Sequence, residues 1–520
     1  MKKNQVAVLL VSVFIIAACG ILYELLISTI TSYFQGSSVL HFSIVIGLFL
    51  SFMGVGSYLS KFIQRNLMSW FVGFEIGLSI VGGFSAILLY FSFSVTQYFY
   101  AVAFLLIALL GTFIGIEIPI LTRIIRRYDT LKDALANVLS FDYLGSLIAS
   151  VAFPLLLLPI LGTMKTAFVV GSLNLGVAIF NTWFFKDWIK RFKTFLVVEG
   201  VILLLLISGL VYSFQIVGFF EKFLYRDQVL LSKQSSYQQL VVTKWNQDIR
   251  LYINGNLQFS SRDEYRYHEA LVHIPMFLGV NHERVLVLGG GDGLVARELL
   301  KHNAIQQIEI VDLDPAITDL AKAHPAFKRL NEDALNHPKV NVINTDAYKF
   351  VEQSSDIYDI VIIDLPDPND PSLGKLYSQE FYQLLEKRMA NGGVIVTQSA
   401  SPYFASDAFW CIHNTLKEVY PTTLPYQSYI PTFGQWGFNV AINGQGSIKT
   451  NTDTSIEQQA IEQLKQRLTQ SPFLLKYLNP NMVEGLFQFG KDIGYRDTDI
   501  NTLQDQPLIY YYEQGWNNWR

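Results

Sequence analysis

The chain has 520 residues, 51% of them hydrophobic and only 16% charged, with a mean hydropathy of +0.29, which is too apolar for an ordinary soluble enzyme. A net charge of −4, with no basic stripe in the polar half, excludes nucleic acid as a partner. Two cysteines, Cys19 and Cys411, lie far apart and offer neither a disulfide framework nor a metal site, so no metal is expected.

Nearly all the apolar excess precedes residue 215. Runs near 6–31, 38–60, 69–92, 98–122, 139–161, 164–185 and 194–215 each approach the roughly 20 residues that cross a bilayer. They predict a transmembrane domain, 1–215, of about seven helices. Lys2 and Lys3 followed by an apolar run ending Ile16-Ala17-Ala18-Cys19 also fit a lipoprotein signal. The run continues past Cys19, so a first spanning helix is the simpler reading. Lys2/Lys3, Lys61/Arg65, Arg123/Arg126/Arg127/Lys132 and Lys186/Lys190/Arg191/Lys193 alternate with loops holding little but Lys165. By the positive-inside rule the N-terminus is cytoplasmic. Glu24, Glu75, Glu117, Asp142 and Glu199 fall within or at the ends of spans. Acids there face an interior path or a partner, so a cation route competes with plain helix packing.

Residues 216–283 form a linker and a small β subdomain. Residues 239–245 alternate as a strand, and Leu251 to Phe259 holds an Asn254-Gly255 pair, a tight hairpin turn. From 284 to 520 the pattern is α/β. Strands at 285–288, 308–311, 340–343, 360–363 and 394–397 alternate with helices near 294–302, 315–323, 378–390 and 407–419. This is a Rossmann-like, doubly wound parallel sheet.

Ligands of such sheets collect at the carboxyl ends of the strands. The first strand runs into Gly289-Gly290-Gly291-Asp292-Gly293. Gly289 and Gly291 let the backbone approach a ligand, but Asp292 would repel a pyrophosphate, so the expected ligand is a cationic nucleoside of the S-adenosylmethionine type. Asp312, about 20 residues beyond the loop, suits ribose hydroxyls. Thr345 and Asp346 follow the third strand, and Asp346 is placed to reach an adenine edge. Asp364-Leu-Pro-Asp367-Pro368 ends the fourth with two acids flanking a rigid turn. The plainer alternatives are helix caps for Asp312 and Asp314 and turn residues for Asp346, Asp364 and Asp367.

The constellation resembles the spermidine synthases, the polyamine aminopropyltransferase family. The resemblance runs from about Tyr237 to Phe438. It rests on Tyr237-Gln238, Arg262-Asp-Glu-Tyr-Arg-Tyr-His-Glu269, Gly289 to Gly293, Val311-Asp-Leu-Asp314, Asp346-Ala347 and Tyr358 to Pro368. The membrane half resembles the multi-pass extension of some bacterial members. The resemblance implies that Asp364 is the proton acceptor and Asp367 its partner in gripping the diamine. It implies that Gln238, Gly289, Gly291, Asp312, Thr345 and Asp346 hold the nucleoside, later methylthioadenosine, and that His268, Asp292 and Tyr267 line the polyamine and aminopropyl site. Three positions depart from the family's pattern. Asp312 stands where Glu is usual, and Thr345 replaces a frequent acid. Phe433 takes the place of a Tyr that orients the acceptor amine, which opens the identity of that amine.

The expected reaction moves the aminopropyl group of decarboxylated S-adenosylmethionine, a co-substrate, to putrescine, giving spermidine and methylthioadenosine with no cofactor. An alkylammonium near its reference pKa of about 10.4 has no lone pair at neutral pH, hence the need for Asp364. Asp292 can pair with the aminopropyl ammonium but repels the extra carboxylate of S-adenosylmethionine. That argues against the first alternative, a methyltransferase on the same sheet; the second is a polyamine-sensing or -exporting membrane protein. Expected partners are a small amine, the lipid bilayer and further copies of the chain in a dimer or tetramer. Seven spans place the soluble domain outside, whereas the donor implied by the resemblance is cytosolic. The expectation is a multi-pass cell-membrane protein with a cytoplasmic catalytic domain.

Overall fold

The computed structural model describes residues 3–35, 38–126, 130–225, 227–444 and 455–519. Lys2 and Arg127, counted above among the loop cations, lie outside them. The chain divides into two units, Met1–Ser236 and Tyr237–Arg520.

The first unit is helical: α1 (Lys3–Gln35), α2 (Ser38–Leu59), α3 (Leu67–Gly83), α4 (Ser85–Val95), α5 (Phe99–Ile125), α6 (Leu131–Ala152), α7 (Leu158–Phe184), α8 (Phe192–Val211) and α9 (Ser213–Tyr225), then strand β1 (Gln228–Gln234). Small residues let the helices meet backbone to backbone. A Cβ at Gly115 of α5 would stand 2.1 Å from the Met53 carbonyl of α2, and one at Gly145 of α6 2.1 Å from that of Phe14 on α1.

Among the described residues six helices are long and apolar enough to cross a membrane, where the sequence predicts about seven. The difference lies in Leu131–Phe184, a continuous helical stretch of 54 residues. Gly162 interrupts it with φ 68° and ψ −178°, a conformation open mainly to glycine. Gly145 meets α1 at Phe14, and Asn181 donates 2.8 Å to Ser12 Oγ of the same helix. A straight helix would hold those two residues about 50 Å apart. Both touch one turn of α1, so the chain doubles back between them and α6 and α7 are separate helices.

The second unit opens with antiparallel β2 (Gln239–Trp245), β3 (Asp248–Ile253) and β4 (Asn256–Ser260). Asn254 and Gly255, at φ 49° and 80°, form the hairpin turn, and the Asn254 side chain accepts from the Gln239 N–H at 2.9 Å. Helix α10 (Glu264–Leu278) leads into β5 (Arg284–Gly289), α11 (Leu294–Leu299), β6 (Gln307–Asp312), α12 (Pro315–Ala323), β7 (Val340–Asn344), β8 (Tyr358–Asp364), β9 (Met389–Gln398), β10 (Thr422–Ile430) and β11 (Gly434–Ile442). The sheet order is β10-β11-β9-β8-β5-β6-β7. Strands β9, β8, β5, β6 and β7 are parallel. The hairpin β10–β11 joins antiparallel at the β9 edge, so the sheet is mixed rather than wholly parallel as expected. Helices Ser406–Val419 and Gln379–Glu386 cover one face with Tyr382, Leu385, Cys411 and Ile412, all fully buried.

Strand order reverses around β5, whose neighbours are β6 and β8. A doubly wound sheet opens its ligand crevice at such a point. Register aligns Gly289 with Asp364 and Asp312 with Asn344, so the glycine loop and the acids share one edge.

Candidate active site

The glycine loop is shaped by what lies against it. Gly289 and Gly290 have φ of 86° and 65°. A Cβ on Gly289 would fall 2.0 Å from the Asp364 carbonyl, and one on Gly291 2.4 Å from Asp312 Oδ2. The loop is thus pressed between two of the expected site acids. Gly291 donates its N–H to Asp312 Oδ2 at 3.1 Å, and the other carboxylate oxygen accepts from the Asp314 N–H at 3.0 Å. Burial raises the Asp312 pKa to about 6, against those two hydrogen bonds. Asp314 caps α12 through the Ala316 N–H, the plainer of its two readings.

Asp364 ends β8, partly buried. Its Oδ1 accepts a 2.6 Å hydrogen bond from the Tyr267 hydroxyl. Burial lifts its pKa to about 6; His268 opposes the lift, Asp292 adds to it and the Tyr267 bond opposes it again. Asp367, three residues on, accepts from the Tyr512 hydroxyl at 2.8 Å and from Gln398 Nε2 at 3.4 Å. Burial raises it to about 6 as well. Asp292 accepts from the Leu294 N–H at 2.9 Å, and burial moves its pKa up while His268 pulls it down. Among the described residues none of these three acids is ion-paired with a Lys or Arg.

Helix α10 supplies the opposite wall. Glu264, Tyr267 and His268 stand at i, i+3 and i+4, on one helical face. His268 is 3% exposed, and its Nδ1 is 2.8 Å from both the backbone oxygen and Oε2 of Glu264. Arg297 of α11 clasps the same carboxylate with two 2.9 Å bonds. Burial disfavours the imidazolium, yet Glu264, then Asp292 and Asp364, raise the His268 pKa to about 9. His268 therefore places positive charge among the acids, anchored from behind rather than free to reach a ligand with both nitrogens.

Two other expected residues already have protein partners. Asp346 caps the helix Ala347–Gln353 through the Lys349 N–H at 3.1 Å and pairs with Lys375 at 2.7 Å. The Thr345 N–H donates to the Asp312 carbonyl at 3.1 Å, tying the third strand's end to the second's. Gln238 stands immediately before β2, partly buried.

Sequence reasoning missed the Glu264–Arg297 clasp, Gln398 and Tyr512. Gln398 closes β9, so the rule that singled out the other strand ends applied to it too. Its Nε2 also donates to the Leu365 carbonyl at 2.8 Å and Tyr377 Oη at 2.7 Å, fixing the Asp364–Asp367 turn. Tyr512 comes from the helix Pro507–Asn517, 145 residues beyond its partner, and no local pattern announces it.

A glycine loop beside an acid suited to ribose, with three further carboxyls that pair with no Lys or Arg among the described residues, has the equipment of a group transferase that moves an alkyl group from a sulfonium nucleoside to an amine. Residues 264–453 match the spermine/spermidine synthase domain. A polyamine aminopropyltransferase of Leptospira interrogans is 44% identical over 509 residues, 98% of each chain. Polyamine aminopropyltransferase 2 of Ralstonia nicotianae is 38% identical over 519 residues, 98% of each. A spermidine synthase solved with the transition-state analogue AdoDATO is 26% identical with a TM-score of 0.45, covering 51% of this chain and 86% of the other. The chain belongs to the polyamine aminopropyltransferase family.

Proposed function

We propose that the protein transfers the aminopropyl group of decarboxylated S-adenosylmethionine to putrescine, yielding spermidine and methylthioadenosine. The observation that carries this reading is the partly buried Asp364, bonded to Tyr267 at the mouth of the glycine loop with Asp367 three residues away. Asp367 and Asp292 attract ammonium groups, while Asp364 takes the proton of the attacking amine. The amine nitrogen bonds to the aminopropyl carbon as the carbon–sulfur bond breaks, and its electron pair stays on sulfur. The sulfonium leaves as a neutral thioether, so charge and atoms balance. Orientation and general base catalysis supply the rate.

The first unit is read as the membrane anchor of this enzyme. Large apolar side chains stand exposed along it, among them Leu50, Leu105, Leu147, Leu155, Ile160 and Leu204, each more than half exposed. Lipid is the environment that such a surface suits. Arg123 donates to the Ser60 and Ile63 carbonyls at 2.8 Å, and the Lys190 N–H to Ser69 Oγ at 3.2 Å. These bonds gather the loops of Lys61/Arg65, Arg123 and Lys186–Lys193 at one end of the helices, as the positive-inside rule requires. We take that end to be cytoplasmic; seven spans would then carry the catalytic unit outside, and it is the cytosolic source of the donor that leads us to take this unit as cytoplasmic too.

Incubating the purified full chain with decarboxylated S-adenosylmethionine and putrescine, cadaverine, agmatine or spermidine tests the reading. Methylthioadenosine should appear fastest with putrescine. Release of S-adenosylhomocysteine from S-adenosylmethionine instead would make the protein a methyltransferase.

A further inference from the structure

Two acids deep in the helical unit take no part in the proposed reaction. Glu75 of α3 is 0% exposed and Glu117 of α5 is 4% exposed. They are close enough to interact with each other, and Glu75 also faces Asn174 of α7. Cys19 and Tyr23 of α1 and Asp142 of α6 complete the titratable groups around them. Among the described residues no Lys, Arg or His pairs with either acid.

Asn174, 0% exposed, is held by its Nδ2, which donates to the Glu75 carbonyl at 3.0 Å and Ser79 Oγ at 3.2 Å. Its Oδ1, both carboxyl oxygens of Glu75, Oε1 of Glu117 and the Tyr23 hydroxyl are buried and have no hydrogen-bond partner outside this group. Helices α1, α3, α5 and α7 therefore turn more acceptor atoms toward this region than the Tyr23 hydroxyl and a protonated carboxyl can satisfy. Buried polar groups left in this way are costly, and two neighbouring carboxyls cannot both ionise away from water. The group is short of N–H donors, and of positive charge as soon as one carboxyl ionises. A primary ammonium brings one charge and three N–H donors, whereas Ca²⁺ or Mg²⁺ requires about six or more oxygens.

We propose that Glu75, Glu117 and Asn174 form a binding site for one primary ammonium group, which enters as a proton leaves. With the ammonium bound, one carboxyl is ionised and the other protonated; when it departs, a proton takes its place and the site stays neutral. The site is separate from the catalytic carboxylates and does not depend on the reading of the transferase.

Carbodiimide labelling of the full chain in nanodiscs tests it, because dicyclohexylcarbodiimide modifies protonated carboxyls in apolar surroundings. Peptide mass spectrometry should find label on Glu75 and Glu117, reduced on adding propylammonium, which leaves one of the two ionised, and unchanged with tetramethylammonium, which has no N–H. In Glu75→Gln, label on Glu117 should no longer respond to propylammonium, while methylthioadenosine release continues at the unmodified rate and shows the chain folded. Absence of label, indifference to propylammonium, or equal protection by Na⁺ or tetramethylammonium overturns the proposal, as does retained protection of Glu117 in the variant.

Discussion

The Tyr267 hydroxyl donates a 2.6 Å hydrogen bond to Oδ1 of Asp364, joining a residue of α10 to the last residue of β8. The bond stabilises the ionised carboxylate and so holds the Asp364 pKa lower than burial alone would set it. A general base must be ionised, so kcat/KM should fall as pH drops through about 6. In Tyr267→Phe the acid limb should move to higher pH, and the rate at neutral pH should fall about tenfold, the worth of a charge-assisted hydrogen bond. An acid limb that stays in place would detach Tyr267 from the base.

Asp364→Asn keeps the shape and loses the base. Turnover should drop by ~100-fold or more, with methylthioadenosine affinity retained by calorimetry. The same variant should melt higher than the unmodified protein at pH 8. Because the folded pKa is raised, ionisation of Asp364 costs folding stability, and the stability is regained as pH falls through about 6. The difference in Tm should therefore close toward pH 4. Retention of most of the rate would remove Asp364 from the chemistry.

Tyr512 holds Asp367 from outside the matched domain, which ends at residue 453. In Tyr512→Phe, KM for the amine should rise severalfold while the donor's KM is unchanged, since only the diamine grip is loosened. Equal effects on both substrates would mean that the terminal helix merely supports the fold.

Asp292 sits where the donor's aminopropyl ammonium is expected. Asp292→Asn should weaken use of decarboxylated S-adenosylmethionine and strengthen competition by S-adenosylmethionine, read as a falling ratio of their inhibition and Michaelis constants. An unchanged ratio would leave the loop acid with a structural task only, capping the turn through the Leu294 N–H.

Reporter fusions after Tyr225 and after Lys61 test the membrane reading. Signals from the same side would support a cytoplasmic catalytic unit alongside the basic loops. Opposite signals would favour the outside location that a count of seven spans implies.

Sequence alone was enough for whatever depends on near neighbours. Apolar runs marked the helices of the first unit, alternation marked the strands, and Asn254-Gly255 marked the hairpin, because period and turn chemistry act within a few residues. Strand-end acids were legible for the same reason: a parallel sheet puts every carboxyl end on one edge, whatever the strand order. The tertiary structure decided what those acids touch. Asp346 spends its carboxylate on a helix cap and Lys375. His268 is anchored by Glu264, which Arg297 of the next helix holds in turn, and Asp367 finds Tyr512 145 residues away. The buried group of Glu75, Glu117 and Asn174 likewise exists only because three helices far apart in sequence pack together. Hydrogen bonds and burial depend on which surfaces meet, and no local period records that.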